Sequence, residues 1–170
     1  MSFEMPSSEE SFVIRKADAR DSCQIYSYVQ AMAKFHKANL GPNQSPENFR
    51  KGSMCQVLVV TTEADRSTIL GYMLFHRAYS TWMGPVLYLE DLYISAKHRR
   101  KGLGRRLFQS VLQIGRDEKC KGMRMTVHTW NKQAKNLWEG LGCENLTETR
   151  HEHFYYYRIH DAGVTAKSAL

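Results

Sequence analysis

The sequence predicts a mixed α/β fold in which helices flank a central β-sheet. Three β-branched and aromatic runs, at 55–63, 68–80 and 85–95, are separated only by the short turns ADRS and TWMG, which is typical of antiparallel strands. The pattern then changes to helix and strand, and a strand–helix–strand order implies a parallel crossover. The sheet is therefore expected to contain both antiparallel and parallel pairs.

Length and composition favour a single domain. The chain has 170 residues, of which 42% are hydrophobic, and a domain of about 150 residues buries roughly two thirds of its unfolded surface. No apolar run approaches the roughly 18 residues that span a bilayer. We expect one domain over 11–161, tails at 1–10 and 162–170, and no membrane partner. A cytoplasmic location with reduced thiols fits the four widely spaced cysteines, Cys23, Cys55, Cys120 and Cys143.

The first elements are a strand at 12–17 and a long helix. Asp18 or Asp21 can accept the orphan N–H groups at the helix start. The helix is predicted from Ser22 to about Asn39, because apolar residues recur there at steps of three and four. These residues are Ile25, Tyr28, Val29, Met32 and Phe35. The connection at 42–54 is predicted to be irregular or weakly helical.

The second half continues with a helix from Gly102 to about Lys119 and a strand at 123–130. The next helix has Asn131 as its expected N-cap, and Gly142 suits the left-handed position after its end. The segments 144–150 and 153–160 are predicted as two final strands. The expected order is β, α, β, β, β, α, β, α, β, β.

The segment AKHRRKGLGRR, at 96–106, lies where a strand ends and a helix begins. The positive helix end and two glycines that let backbone approach a ligand suit a small polyanion such as a pyrophosphate. The formal net charge is +7 and lies largely in this segment, which disfavours an extended nucleic-acid footprint. The basic residues are Lys97, Arg99, Arg100, Lys101, Arg105 and Arg106.

With the strand before it, this loop reads LYLEDLYISAKHRRKGLG and resembles the signature of the GCN5-related N-acetyltransferases (GNAT), in which a strand precedes Q/R-x-x-G-x-G/A. FVIRKADARD, TILGYMLFHR and TWNKQAKNLWEGLGC extend the resemblance over about 12–160. YSTWMG, LYLEDLYIS and HTWN are most similar to the polyamine and thialysine acetyltransferase branch. The resemblance implies a mixed sheet of about six or seven strands with about four helices, and a homodimer, since relatives are often dimers.

The resemblance also implies acetyl-CoA as the cosubstrate, with no metal. The backbone of 92–94 would lie along the pantetheine, and the amides of 100–105 would hold the pyrophosphate. The segment 131–134 matches a second cofactor segment of the family. The residues that match are Leu92, Tyr93, Ile94, Arg99, Arg100, Lys101, Gly102, Leu103, Gly104, Arg105, Asn131, Lys132, Gln133 and Ala134.

The implied reaction is direct attack of an amine on a thioester, which needs a proton acceptor and a stabilised oxyanion. Glu90 matches the family's carboxylate that relays the amine proton, although such a residue can also be a simple ion-pair partner. Asp91 follows it, and in a regular strand the two side chains leave opposite faces unless a bulge intervenes.

The leaving thiolate presents a problem. Trp138 stands where many relatives place a tyrosine, and an indole N–H does not supply a proton near neutral pH. His128 is a weaker candidate for the missing acid, and it can equally be a partly buried strand histidine. Trp138 and Leu141, which replaces an arginine of close relatives, leave open a catalytically weak acetyl-CoA-binding sensor.

The acceptor is expected to be a small primary amine. By the resemblance Phe35, His36 and Trp82 lie at substrate positions together with Glu90 and Asp91. A polyamine needs carboxylates along its groove, but lysines flank the first two positions, and Ser80 or Thr81 replaces the acidic residue before Trp82. A lysine- or thialysine-like amine is favoured, and a polyamine acetyltransferase remains the alternative.

Overall fold

The computed structural model describes residues 10–37, 45–47 and 54–151. The chain divides into two compact units, the first ending at Thr126 and the second beginning at Val127. The first unit contains the strands β1 (Phe12–Lys16), β2 (Cys55–Thr62), β3 (Gly71–Ser80), β4 (Gly84–Ile94) and β5 (Met123–Met125) and the helices α1 (Ser22–Phe35) and α2 (Leu103–Asp117). The second unit contains α3 (Lys132–Gly140) and α4 (Leu146–Thr149). The expected single domain over 11–161 stays a prediction.

The five strands form one mixed sheet in the order β1-β2-β3-β4-β5. The first four are antiparallel to their neighbours, and β5 runs parallel to β4. Helix α2 makes the connection between the parallel pair, so the predicted crossover is confirmed. Within the described ranges, no helix has the length and apolarity that crossing a membrane requires.

The two long helices of the first unit pack on opposite faces of the sheet. On one face, Ile25 of α1 lies in a buried cluster with Tyr72 and Leu74 of β3. On the other, Gly115 of α2 sits so close to Leu87 of β4 that an added Cβ would lie 3.2 Å from Leu87 Cδ1. The sheet is therefore the middle layer, as the predicted architecture requires.

A β-bulge interrupts the pairing of β3 with β4. Leu74 pairs with Asp91, but the next residue, Phe75, pairs with Leu89. Glu90 is thus the extra residue of β4 and has no register partner on β3. A bulge of this kind changes the alternation of side chains along the strand.

The start of α1 is built around a buried carboxylate. Asp21 is 3% exposed, and both of its oxygens accept hydrogen bonds from the Arg15 guanidinium, at 2.6 and 2.9 Å. The Asp18 N–H also donates to Asp21, at 2.7 Å. The side chain of Asp18 in turn accepts from the Arg20 N–H, at 2.8 Å. Asp18 is confirmed as a capping residue, of the short 3-10 helix Ala19–Asp21 that precedes α1, whereas the Asp21 side chain makes no capping bond to α1 itself. Through Arg15 and the Asp18 N–H, Asp21 instead fixes the end of β1 to the start of α1.

Two predicted elements differ from the structure. The strand expected at 123–130 ends at Met125, because residues 126–131 turn into α3, with the Asn131 N–H donating to the His128 carbonyl at 2.9 Å. The segment 144–150, expected as a strand, contains the helix α4, in which the Thr149 N–H donates to the Asn145 carbonyl at 2.9 Å. The described sheet therefore has five strands rather than six or seven. The last expected strand, at 153–160, and most of 42–54 lie outside the described residues.

Replacing Asp21 with Asn should reduce the free energy of unfolding by about 3 kcal/mol, because it leaves the Arg15 guanidinium without its buried counter-ion. Chemical denaturation monitored by circular dichroism measures the change. Arg20→Gln is the matched control: it breaks the exposed ion pair with Asp18 and should leave stability close to that of the wild type. Equal losses in the two variants would contradict the assignment of Asp21 as the anchor.

Candidate active site

The extra residue of the bulge presents an accessible carboxylate. Glu90 Oε1 lies 3.1 Å from Nε2 of His76 on β3, and the Glu90 side chain is 49% exposed. The His76 ring stacks on Tyr88, with ring centroids 5.4 Å apart. Its other nitrogen, Nδ1, lies 3.0 Å from the Arg77 carbonyl oxygen. The predicted carboxylate is thus held against a histidine that sequence reasoning did not single out.

Asp91 lies beside Glu90 but in a more buried place. The Tyr72 hydroxyl donates to Asp91 Oδ2 at 3.2 Å. Burial raises the pKa of Asp91; the hydrogen bond from Tyr72 opposes this shift, and the charge of Glu90 adds to it. Because Tyr72 and His76 are four residues apart on β3, their side chains share one face. The bulge therefore turns both carboxylates towards that face, which is the exception foreseen for a bulged strand.

Tyrosine rings pack beside Asp91. Tyr28 of α1 stacks on Tyr93 of β4 at 4.6 Å and on Tyr72 at 6.3 Å. Burial, followed by the neighbouring carboxylate, raises the pKa of Tyr72, so this phenol remains a hydrogen-bond donor. The ring cluster thus fills the α1 side of the sheet next to the bulge.

The far edge of β4 changes at the same bulge. Strand β5 pairs with β4 only at 87–89, so its pairing stops immediately before Glu90. Beyond that point Leu92, Tyr93 and Ile94 keep their partners on β3, namely Met73, Tyr72 and Gly71. Within the described part of the chain, the opposite edge of 90–94 is not paired by β5. This opening lies directly along the three residues predicted to border the pantetheine.

The loop after β4 leads to a helix start that has no side-chain cap. Gly102 is the N-cap of α2 with φ of 74°, no side chain caps the first turn, and that turn has no acidic residue. Arg100 also adopts a left-handed conformation, with φ of 66°. A Cβ added to Gly102 would meet nothing within 4 Å, so the space above the helix start is open. Backbone N–H groups and basic side chains therefore surround an accessible point.

The residues of this loop have different tasks. Arg99 Nε donates to the Ile94 carbonyl at 3.0 Å, which ties the loop to the end of β4. Leu103 is 2% exposed and belongs to the core, so it can offer a ligand only its backbone. The exposed side chains include those of Arg100, Lys101 and Arg105, of which Lys101 pairs with Glu10 at 2.5 Å. This donor set, rich in N–H groups and positive charge, fits a pyrophosphate.

The second unit holds the other predicted cofactor and acid residues. The Asn131 side chain accepts from the Ala134 N–H at 3.1 Å, which confirms the predicted N-cap, and Lys132 and Gln133 form the exposed first turn of α3. Trp138 is half-buried on α3. His128 is exposed, stacks on Trp130 with centroids 5.5 Å apart, and is not part of a strand. Its expected position in a strand was therefore wrong.

The predicted substrate residues lie on separate elements of the first unit. Phe35, 54% exposed, ends α1, and its ring centroid is 5.5 Å from that of His36. Trp82, 93% exposed, lies in the turn between β3 and β4. The group that the structure brings together is instead Glu90 and Asp91 with His76 and Tyr72. Strand alternation predicts that Tyr72 and His76 share one face of β3. It does not predict their contacts with Asp91 and Glu90, because those contacts depend on the bulge.

The position before Trp82 is not acidic. Ser80 is 3% exposed, and its hydroxyl accepts from the Met83 N–H at 3.2 Å and from the Arg124 guanidinium at 3.0 Å. A buried hydroxyl next to a cation therefore stands where a polycation site would need a carboxylate.

In the ranges that the structure covers, no cluster of three or more His, Cys, Asp or Glu side chains is arranged to hold a metal ion.

Asp91→Asn should stabilise the fold, and more so at higher pH. Since the folded state raises the pKa of Asp91 above the ordinary 3.8, it binds more protons than the unfolded state, and wild-type stability falls as pH rises through this window. Asparagine removes that loss and can still accept from Tyr72. Denaturation at about pH 4 and about pH 8 should show the larger gain at the higher pH.

The exposed Asp117→Asn serves as control and should show no such pH-dependent gain. A loss of stability in Asp91→Asn that is equal at both pH values would contradict the assignment of a desolvated carboxyl at this position.

Comparison with known proteins adds evidence independent of this geometry. Residues 24–143 match the model of the acetyltransferase (GNAT) family. The thialysine N-epsilon-acetyltransferase of Mus musculus is 30% identical over 146 residues, covering 80% of this chain and 86% of the relative. That of Caenorhabditis elegans is 30% identical over 141 residues, covering 83% of this chain and 87% of the relative.

Solved structures show the same fold. A probable acetyltransferase superposes with a TM-score of 0.73 at 18% identity, covering 88% of this chain and 99% of its own. An aminoglycoside N-acetyltransferase in complex with CoA superposes with a TM-score of 0.69 at 15% identity, covering 93% of this chain and 100% of its own. With the family model matching well over half of the sequence, the chain belongs to the acetyltransferase (GNAT) family.

Proposed function

We propose that this GNAT enzyme transfers the acetyl group of acetyl-CoA to a primary amine of a small molecule, with a lysine- or thialysine-like acceptor favoured over a polyamine. One observation carries the proposal: the accessible carboxylate of Glu90 lies in a bulge of β4, and the same strand leads directly into the uncapped basic loop. A proton acceptor and a polyanion site thus lie on one strand and the loop that follows it.

Glu90 is the proposed proton acceptor for the amine. An alkylamine with a pKa near 10 is protonated at neutral pH and must lose a proton before it can attack. The Glu90 side chain is 49% exposed, and one of its carboxylate oxygens contacts His76. Asp91, which is buried and bonded to Tyr72, is better suited to shape the site than to exchange protons with a ligand.

The loop after β4 is the proposed site for the CoA pyrophosphate. The open helix start at Gly102 offers backbone N–H groups, and Arg100, Lys101 and Arg105 supply positive charge. The edge of 92–94 that β5 does not pair is the proposed contact for the pantetheine arm. The bound cosubstrate would supply the acetyl thioester, and no step assigned to this chain requires a metal ion.

The acceptor is proposed to carry a carboxylate of its own. Ser80 and Arg124 place a hydroxyl and a cation where a polyamine would need negative charge, and Lys34 and Lys37 flank Phe35 and His36. An amino acid with a side-chain amine satisfies both requirements, because its amine meets Glu90 and its carboxylate tolerates the positive surroundings. The relatives from mouse and nematode are thialysine acetyltransferases, which supports the same choice.

The leaving thiolate has no phenol at the position of Trp138. A thiol with a pKa of about 8.5 leaves moderately well without an acid, so the proposed enzyme works with a slower final step. Trp138 is proposed to orient the sulfur through its indole N–H. The second unit contributes the start of α3, around Asn131, as the other proposed cofactor segment.

The function is tested by measuring CoA thiol release from acetyl-CoA with lysine, thialysine, a small diamine, spermidine and a basic peptide, against buffer alone. Release should be fastest with lysine or thialysine. If release is fastest with spermidine, the acceptor is a polyamine and the proposed lysine- or thialysine-like acceptor is wrong. Tight binding of acetyl-CoA without release for any amine would identify a sensor and overturn the enzymatic proposal.

Arg100→Gln should weaken CoA binding by about tenfold, the loss expected for one charge-assisted hydrogen bond to phosphate. Calorimetric titration measures the affinity, with pantetheine, which lacks the pyrophosphate, as the comparison ligand. Pantetheine affinity should be unchanged. Arg116→Gln, at the other end of α2, is the charge-matched control, and an equal loss in that variant would mean a general effect of net charge.

A further inference from the structure

We propose that His76 is the final acceptor of the proton that the amine loses, with Glu90 passing the proton between them. This inference rests on the proposed function, because it concerns the same amine. His76 acts through Glu90 and is a positioning and relay residue rather than one that contacts the substrate. Neither the family comparison nor the sequence motifs assign it a role.

The hydrogen bonds of His76 fix where its protons lie. Nδ1 is 3.0 Å from the Arg77 carbonyl oxygen, and a carbonyl oxygen only accepts, so Nδ1 carries a hydrogen. A neutral ring with that hydrogen has a bare lone pair at Nε2. Glu90 Oε1 lies 3.1 Å from Nε2, and two acceptors do not bond without a proton between them. The observed contact therefore describes the pair with one proton bound, which is the state after His76 has accepted a proton. Loss of that proton to water restores the Nε2 lone pair that accepts the next one.

The ring is held so that this proton site is always presented to Glu90. It stacks on Tyr88 with an interplanar angle of 26°, and the Tyr88 hydroxyl is bonded to Thr126 at 3.1 Å. The Arg77 carbonyl belongs to the β3 backbone and cannot rotate away. At the same time the His76 side chain is 28% exposed. The His76 ring is thus held in place by Tyr88 and the Arg77 carbonyl, while part of it remains in contact with water.

The titratable groups around the ring lie on β2, β3 and β4. Glu90 and Asp91 are the nearby acids, and Cys55 on β2 pairs with His76 in the sheet register. Burial raises the pKa of the Cys55 thiol, and the charges of Glu90 and Asp91 add to the shift, so the thiol stays neutral. Tyr72 and Tyr88 are phenols. The Arg77 guanidinium is engaged by Glu118 at 2.7 and 2.8 Å.

The transfer balances without another reactant. An N–H bond of the ammonium breaks and leaves its electron pair on the amine nitrogen, while an Nε2–H bond forms on His76. Glu90 begins and ends as a carboxylate. The imidazolium then loses its proton to water through its exposed edge. An imidazole is in general a stronger base than a carboxylate by about two pKa units. The relay therefore makes proton removal from the amine more favourable than it would be with Glu90 as the only acceptor.

The decisive experiment is a double-mutant cycle read from the pH dependence of kcat/KM, with wild type, His76→Gln, Glu90→Gln and the double variant. His76→Gln keeps a polar side chain but cannot take up a proton. It should lower the maximal kcat/KM by about tenfold or more and move the acid limb of the profile to lower pH. In the Glu90→Gln background, itself slower by about a hundredfold, the same change should have no further effect.

His76→Phe keeps a ring on Tyr88 and removes both nitrogens, so it should lose as much activity as His76→Gln. His151→Asn, a change at an exposed histidine of the second unit, is the control and should match the wild type. Additive losses in the cycle, or an unmoved acid limb in His76→Gln, would overturn the relay while leaving the enzyme's function intact. A wild type that acetylates no amine would overturn both.

A spectroscopic measurement checks the premise without turnover. Long-range proton–nitrogen NMR spectra of the wild type at alkaline pH distinguish the two neutral tautomers of each histidine. The His76 ring should carry its hydrogen on Nδ1, as the bond to Arg77 requires. A hydrogen on Nε2 would mean that His76 simply donates to Glu90, and the relay would be wrong.

Discussion

The arrangement of this site depends on one extra residue in β4. Inserting Glu90 between the partners of Leu74 and Phe75 turns two consecutive carboxylates to the face that carries Tyr72 and His76. The pairing with β5 stops at the same point, which leaves the far edge of the strand open towards the basic loop. A regular strand would have sent one carboxylate into the α2 side of the core and kept the edge covered.

The neighbouring carboxylates differ because their surroundings differ. Asp91 is surrounded by the tyrosine cluster, where desolvation disfavours its charge and one phenol supplies its hydrogen bond. Glu90 keeps contact with water and has a histidine as partner. Although Asp91 and Glu90 are adjacent in sequence, Asp91 is therefore suited to a structural role, and the accessible Glu90 is suited to exchange protons.

Much of the fold could be predicted because its signals are local. The apolar period of α1 and α2, the capping role of Asp18 and the N-cap at Asn131 each depend on residues close in sequence, and all are found in the structure. The short helix at 146–149 was misjudged as a strand, because its sequence, LTET, contains two threonines, and threonine favours strands. The role of His76 could not be foreseen, because its contact with Glu90 depends on a register shift that periodicity does not encode.

The distribution of charge in the first unit argues for a particular kind of acceptor. The basic loop at 96–106 is the proposed site for a polyanion, and the carboxylates at the bulge suit one amine. Among the described residues of this unit, the positions that the resemblance marks for substrate form no continuous acidic groove: Ser80 is bonded to Arg124, and lysines flank Phe35. A polycation would meet attraction at one end only and repulsion along its length. A zwitterionic amine avoids that repulsion, since its own carboxylate neutralises the cations that a polyamine would encounter.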